Sequence, residues 1–582
     1  MIILGLNIFH GDSSACLIKN GKIISAAEEE RFTRIKHFSG FPLNSIDFCL
    51  SDSNLSIEEV DTISVNFNSK YNLKNKIIFM LKNFLHTNFF PRLSLTVKKN
   101  SIEKIIYQNY NKKINISTDH IPHHQAHIAS SYLCSGYKDS IGFSYDGAGD
   151  FSSTEIFLCK DNKLELIEKV LYPHSLGVFY QAFTQFLGFK NYGEEYKVMG
   201  LASYGKPLYK NRVYQLLNIS NKKNNFFKLK LKYYNHYKET FSYYAETGSP
   251  FFDNLYSEEF KKLFGPSRKM NDPVTEFHKD LAASMQTVLE EIVINKLNQI
   301  HEIYKIDTLC MAGGCAFNSS LNGKILTDTK YKNVYISPNV GDAGGAIGAA
   351  LVSASVKDED YKNTKMLNPF LGPKYSDEYI EKNIISILKK SEKDYNFKYY
   401  DDNDKLNDLI CHHLMDKKIV GWFQDRMEWG PRALGNRCIL ADPRLADVKD
   451  IINSKIKRRE EFRPFAPSIL YEHKDEYFEL GNLSDSPFMT MVVGAKKRAI
   501  EEVPGVVHID KTSRVQTVTQ EFNPKFYSLI KKFYDVTGTP ILLNTSLNVN
   551  GPICRDPNDA LEVFTKTNMD TIVLQNWVIS KK

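Results

Sequence analysis

The sequence contains no C-x-x-C pair. Its nine cysteines, an odd number, are scattered through 582 residues, and the closest two, Cys310 and Cys315, suit neither a zinc ribbon nor a redox motif. That argues against a disulfide framework and predicts reduced thiols in a cytosolic, cytoplasmic protein. A basic leader is missing too. Residues 1–7 are apolar and soon meet His10 and Asp12, so no signal peptide is expected. No uncharged run is long enough to span a bilayer, since the most apolar later stretch, 77–90, is broken by Lys82, Asn83 and His86. A periodic basic face is also lacking. The net charge of +7 is modest, and much of it lies in Lys/Asn-rich sequence such as 208–240. This suits a solvated surface with some affinity for anionic substrates, and no nucleic acid is expected as a partner. With 42% hydrophobic and 25% charged residues the composition is that of a globular protein, too long for one core.

The most informative stretch is His120-Ile-Pro-His-His-Gln-Ala-His127. Pro122 suits the first position of a helix. From there His123 and His127 project from one face a single turn apart, while His124 lies about 100° round. The alternating segment Ser140-Ile-Gly-Phe-Ser-Tyr145 predicts a strand with Asp146 at its end. Two imidazoles and a carboxylate form a ligand set for Zn or Fe(II). The same spacing also suits surface or hydrogen-bonded histidines.

Residues 2–8 read as a strand, 10–14 as a turn and 15–18 as a second strand. Asn20-Gly21 signals a hairpin into a third strand at 22–26. The plan recurs at 140–171, around Asp146-Gly-Ala-Gly-Asp150 and the polar turn 160–163. Two such units predict a duplicated α/β fold of the actin-like ATPase (ASKHA) kind, with both polar turns facing one cleft. In 192–205, clustered small residues favour close approach of backbone to a ligand. Residues 206–275 form a variable insertion, and 280–303 an amphipathic helix. Strands at Thr308–Ala312 and 334–337 run into Gly-rich turns, the second holding Asp342. Such turns let backbone N–H groups reach phosphate oxygens. Residues 353–368 read as a linker. Beyond it Arg432, Arg437, Lys457, Arg458, Arg463 and Arg514 sit in Gly/Pro-bounded or Ser/Thr-rich loops suited to holding phosphate.

Nearly end to end, the chain resembles the O-carbamoyltransferases that modify nodulation factors, cephems and aminoglycosides. The resemblance is carried by His10-Gly-Asp-Ser-Ser-Ala15, Glu28-Glu-Glu-Arg-Phe-Thr-Arg-Ile-Lys-His37, His123-His-Gln-Ala-His127 and Asp146-Gly-Ala-Gly-Asp150. Further matches are Glu195-Tyr-Lys-Val-Met-Gly-Leu-Ala202, Met427-Glu-Trp-Gly-Pro-Arg-Ala-Leu-Gly-Asn-Arg437, Arg459-Glu-Glu-Phe-Arg-Pro-Phe-Ala-Pro467 and Asn544-Thr-Ser546.

The resemblance implies an actin-like domain at 1–360 and an α+β, YrdC-like domain at 361–582. The second would form carbamoyl-adenylate from carbamoyl phosphate and ATP with Mg²⁺. The first would pass the carbamoyl group to a hydroxyl of a sugar or other small-molecule acceptor at an iron, with Zn also suited to the ligands. It implies His123, His127, Asp146 and Asp342 as metal ligands and Lys36 beside the transferred group. His10 is the candidate general base. Gly147, Gly149, Gly314 and Asn318 are expected at the nucleotide, and Arg432, Lys457, Arg458, Arg514, Asn544 and Ser546 at carbamoyl phosphate and ATP. Asp425 departs from the family, which usually has glycine there; it is expected to pair with Arg426 or meet Mg²⁺. Leu547 replaces a phenylalanine, and an acidic residue is missing between Gly551 and Pro552. A homodimer is compatible with the sequence. An actin-fold small-molecule kinase and a non-catalytic subunit of a tRNA-modification assembly are the competing readings.

Overall fold

The first 28 residues form the meander that their turn chemistry demands. In a computed structural model, β1 (Ile2–Asn7), β2 (Ser14–Lys19) and β3 (Lys22–Glu28) pair antiparallel. Asn20 (φ 49°) and Gly21 (φ 73°) both take left-handed backbone at the β2–β3 turn. β4 (Thr62–Val65) adds parallel to β1 and β5 (Ser117–His120) parallel to β4, so the order is β3-β2-β1-β4-β5. The structure describes residues 1–83, 102–112, 116–220, 222–238, 242–243, 248–366, 368–390, 395–481 and 483–581.

A second sheet repeats the plan. β6 (Asp139–Gly149), β7 (Ser152–Lys160) and β8 (Lys163–Leu171) form the meander, with Asp161 and Asn162 both at positive φ in the β7–β8 turn. β9 (Thr308–Ala312) adds parallel to β6 and β10 (Asn333–Ile336) parallel to β9. Its order is β8-β7-β6-β9-β10, so both sheets share one strand order and one pattern of pairing.

Helix α1 (His123–Tyr132) follows β5, and α4 (Gly344–Lys357) follows β10. The two helices pack together and α4 lies on β1. Glycine permits the approach: a Cβ on Gly348 would stand 1.7 Å from the Ala126 carbonyl oxygen, and one on Gly5 2.1 Å from that of Ala346.

Between them lie α2 (Glu195–Ala202) and α3 (Glu276–Tyr304). In α3 the apolar face expected from the sequence, with Leu281, Met285, Val288, Leu289, Ile292 and Leu297, is buried. The small residues of 192–205 do not form an open loop. Most of that stretch is α2, packed on α3, and a Cβ on Gly205 would meet the Lys279 carbonyl oxygen at 2.1 Å. Within 206–275, short helices at Lys210–Tyr214 and Glu258–Phe264 accompany a strand pair, Leu217–Ile219 with Phe227–Leu229. Phe260 and Phe264 pack their rings against Phe183 and Phe186, which ties this segment to the helix Leu176–Phe186.

The linker expected at 353–368 is corrected in part: the two compact units divide within it, after Met366, but its earlier residues are packed into the first. α4 continues to Lys357, Tyr361 is buried, and Asn363 Nδ2 donates to the carbonyls of Tyr132 and Tyr137. Its polar side chains satisfy carbonyls at the end of α1, so composition alone was misleading. Of the apolar stretch 77–90, the part to Lys82 is helical and 84–90 lies outside the described residues. Among the described residues no helix is long and apolar enough to cross a membrane.

These elements form one compact unit, Met1–Asn318 with Lys324–Met366; the other comprises Ser319–Gly323 and Leu367–Lys582. The latter is built on a mixed eight-stranded sheet of β11 (Tyr395–Tyr399), β12 (Val420–Phe423), β13 (Arg437–Ala441), β14 (Ala466–Leu470), β15 (Gln516–Val518), β16 (Ile541–Ser546), β17 (Thr571–Leu574) and β18 (Trp577–Lys581). Their order is β11-β18-β17-β12-β13-β16-β14-β15. Helices α5 (Asn403–Met415) and α6 (Pro524–Thr537) bury Leu406, Ile410, Leu414, Phe526, Leu529 and Phe533 against it. Asn523 caps α6 through its side chain, with Pro524 in the first turn.

Because backbone faces backbone at Gly348, Gly348→Ala is expected to destabilise the protein by about 3 kcal/mol. Urea unfolding followed by circular dichroism measures this, and an unchanged midpoint would contradict the close packing.

Candidate metal centre and a basic cluster

α1 begins at His123, with Pro122 at its N-cap, one place earlier than expected. His123 and His127 point inward from successive turns, at 2% and 0% exposure. His124 turns away and bonds Ser144 Oγ at 2.7 Å. Burial, with two neighbouring imidazoles, pushes its pKa down to about 3, so it stays neutral. β6 does not end at Asp146, as the sequence suggested; it runs on to Gly149, and its ladder to β7 breaks register after Tyr145. Asp342 lies in the turn before α4.

These four residues converge. His123 Nε2 is 3.0 Å from His127 Nε2, and Asp146 Oδ2 is 3.3 and 3.1 Å from the two nitrogens. Asp342 Oδ1 is 3.5 and 3.4 Å from them. Four donors arranged tetrahedrally around one ion at metal–ligand distances near 2.05 Å would stand about 3.3 Å apart. Asp342 Oδ1 is buried and accepts no hydrogen bond. Residues and geometry therefore fit a metal ion. In the bare protein, protons take its place. Burial opposes charging of His127, but its contacts with the Asp146 and Asp342 carboxylates outweigh burial and raise its pKa to about 9. Burial likewise opposes ionisation of Asp342, and His10, His127 and His123 together hold it well below the usual carboxylate range.

His10 joins the group through Asp342: its Nδ1 lies 2.9 Å from Oδ2, and its ring stacks on His123. Lys36 is exposed, with its ammonium 5.4 Å over the Tyr196 ring, and is not drawn in among the four donors. The Gly147 N–H donates to Asp146 Oδ1 at 2.6 Å, and a Cβ there would meet nothing. A Cβ on Gly149 would enter the His123 ring, so this glycine makes room for an imidazole, not a nucleotide. Gly314 borders Asp146, where a Cβ would stand 3.0 Å from Oδ1. Asn318 is turned to Gln286, with which it exchanges two amide hydrogen bonds at 2.9 and 3.0 Å.

The sequence reading missed a neighbouring group. Asp12 (φ 59°) and His37 (φ 57°), both in left-handed backbone, share a 2.7 Å bond, and Tyr192 packs edge-on against His37. Glu195 stands half-buried close by, and its partial removal from water lifts its pKa to about 7. All four fall in or beside matched segments, but no spacing pairs residues 25 positions apart.

In the other unit the Gly430–Arg437 loop is held from both sides. Glu428 Oε1 accepts the N–H groups of Leu434, Asn436 and Arg437 at 2.9, 2.8 and 3.0 Å. The Arg437 guanidinium donates to the carbonyls of Gln424, Asn436, Pro373 and Asp425, 3.6 Å above the Phe423 ring. Arg437 is thus structural and does not face phosphate. Lys457, expected at the phosphate, is buried; its ammonium donates to Ser546 O, Asn548 O and Asn548 Oδ1 at 2.6, 2.9 and 2.8 Å, using all three N–H groups. Ser546 Oγ donates to Asn548 Oδ1. Asn544 is buried, and its amide nitrogen reaches Ala433 O, Ser468 Oγ and Gln516 Oε1.

Arg432 and Arg514 do come together, joined by Arg459 and Arg463. Burial and these three neighbours push the Arg514 guanidinium well below its usual pKa, and its Nε makes no hydrogen bond. Crowded cations of this kind are relieved by an anion. Arg458 stands apart, exposed at φ 44° where its helical turn ends. Asp425 (φ 35°) pairs with Lys525 at 3.5 Å, while Arg426 turns to the Leu371 carbonyl. Its left-handed backbone accounts for the glycine usual there.

The raised pKa of His127 gives a sign to the pH dependence. In metal-free protein its ion pairs stabilise the fold fully below pH 6.5, and that contribution is lost as pH rises through about 9. Metal must displace this proton, so metal affinity is expected to rise about tenfold per pH unit between 7 and 9 and then level off. Competition titration with a chelator across that range measures it, and a flat profile would contradict the assignment.

Residues 2–351 match the family model for the carbamoyltransferase N-terminus and residues 411–581 that for the carbamoyltransferase C-terminus. Protein sll1178 of Synechocystis sp. is 36% identical over 625 residues, spanning 100% of this chain and 96% of that protein. The nodulation protein NolNO of Sinorhizobium fredii is 32% identical over 587 residues, 99% of this chain and 80% of that protein. Among solved structures, component A of (R)-2-hydroxyglutaryl-CoA dehydratase from Acidaminococcus fermentans aligns at 13% identity over 61% of this chain and 98% of that one, with a TM-score of 0.33. With both halves matched in order, the chain belongs to the carbamoyltransferase family and is an enzyme of carbamoyl transfer.

Proposed function

We propose that this enzyme carries out carbamoyl transfer in two steps in two domains. The first, 1–360 with its insertion at 206–275, is a duplicated actin-like domain; the second, 361–582, is YrdC-like. In the second, water cleaves carbamoyl phosphate to carbamate and phosphate. The carbamate oxygen then attacks the ATP α-phosphorus, giving carbamoyl-adenylate and pyrophosphate. Arg432, Arg459, Arg463 and Arg514 hold the anionic groups, with Mg²⁺ carried by ATP. Lys457, Asn544 and Ser546 shape the loop beside them, while Arg458 is left at the rim.

In the first domain His123, His127, Asp146 and Asp342 hold the metal, Fe(II) or Zn by ligand type, and Fe(II) by the family likeness. When bound, it supplies Lewis-acid polarisation of the carbamoyl carbonyl. His10 takes the acceptor's hydroxyl proton at Nε2, because Nδ1 is engaged by Asp342. Lys36 offsets charge developing on the departing AMP. The acceptor is a hydroxyl of a sugar or other small molecule, and we assign the reaction to the cytoplasm, in keeping with nine cysteines that form no disulfide. The observation that carries this reading is the convergence of four donors, three of them buried and Asp146 half-buried, within a chain of this family.

The test needs no acceptor. Purified protein with ATP, Mg²⁺ and carbamoyl phosphate is expected to release pyrophosphate only when carbamoyl phosphate is present. Arg514→Ala and Arg432→Ala are each expected to slow release by about 100-fold. Release of ADP in place of pyrophosphate would overturn the reading in favour of a kinase.

A further inference from the structure

Asp150 is not one of the four donors, yet it holds the start of the helix that carries two of them. Its Oδ2 accepts the backbone N–H of His123 at 2.9 Å and that of Asn68 at 2.9 Å. Its own carbonyl accepts from Asn72 Nδ2 at 3.0 Å, and Asn68 Nδ2 donates to His120 O at 3.1 Å. Three segments thus meet at one carboxylate: the β6–β7 turn, the loop after β4 and the first residue of α1. The same loop also reaches the fourth donor, where Asn66 Nδ2 lies 3.4 Å from the Asp342 carbonyl oxygen.

The arrangement is costly. Asp150 (φ 48°) and Phe151 (φ 70°) both occupy left-handed backbone without being glycine. The Asp150 side chain is buried, and its Oδ1 makes no hydrogen bond. What it provides is position. The bond to the His123 N–H fixes the backbone from which that imidazole projects, and Gly149, one residue earlier, lies flush against the ring.

We propose that Asp150 is a positioning residue, which seats His123 so that its Nε2 stands ready at the corner shared with His127, Asp146 and Asp342. The inference rests on the metal reading above, and partners that orient ligands in this way typically change metal affinity when lost.

The test compares wild type, Asp150→Ala and Asp150→Asn, all stripped of metal. It measures Zn²⁺ affinity by calorimetry, the visible d–d spectrum with Co²⁺, and thermal unfolding without metal. Asp150→Ala is expected to weaken Zn²⁺ binding by about 10- to 100-fold and to shift the Co²⁺ bands. Asp150→Asn keeps one acceptor oxygen for both N–H groups and is expected to lose less than about tenfold. It carries the test if the alanine variant does not fold, since the inference still requires a measurable loss and a band shift. Wild-type affinity and spectrum in either folded variant, with only the melting temperature lowered, would make Asp150 merely structural and overturn the inference. Wild type that takes up no stoichiometric metal would overturn the metal reading itself.

Discussion

Two imidazole nitrogens 3.0 Å apart cannot both point a proton at each other, and two carboxylates facing them, Asp342 buried and Asp146 half-buried, call for a cation between them. That constraint shapes the N-terminal unit. α1 supplies two donors, the register break in β6 a third and the turn into α4 the fourth. The two helices are held at backbone contact through Gly348, and the parallel strands β4, β5, β9 and β10 deliver chain to that spot from both sheets. A metal ion would engage both carboxylates and both imidazoles at once, whereas protons leave at least one imidazolium buried.

The C-terminal unit solves an opposite problem, concentrating positive charge without collapse of the loops that bear it. Glu428 gathers three N–H groups of one loop on a single oxygen, and Arg437 gathers four carbonyls from the same region. Lys457 does the same for the loop at 546–548. Buried charges of both signs therefore brace the backbone, while Arg432, Arg459 and Arg463 gather near Arg514, with Arg463 also paired to Glu460 and Arg459 bonded to Asn453. Such crowding destabilises the empty site and favours an anionic ligand.

Much of this was legible in the residues. Asn20-Gly21 and the polar turn at 160–163 announced the two meanders. The helical spacing of His123 and His127 announced two of the donors. Asp342 could be joined to them only through family likeness, because it lies some 200 positions away and local periodicity carries no information about that distance. Residue type proved a weak guide to orientation. Lys457 and Arg437 have the chemistry of phosphate ligands, yet their protons go to backbone carbonyls and, for Lys457, also to the Asn548 side chain. Asn318 is spent on Gln286, and Gly149 serves a histidine ring. Those outcomes depend on which loop packs over which, and that is decided by tertiary structure. The tie between Asp150 and His123 was hidden for the same reason.

The central claim is that the four-donor centre and the basic cluster serve separate chemical steps. It is tested most directly by one preparation of Asp342→Asn, assayed both for metal per chain and for carbamoyl phosphate-dependent pyrophosphate release. The account predicts that bound metal falls from about one per chain to a small fraction while pyrophosphate release stays near the wild-type rate. Full metal content in the variant, or loss of pyrophosphate release together with the metal, would contradict it.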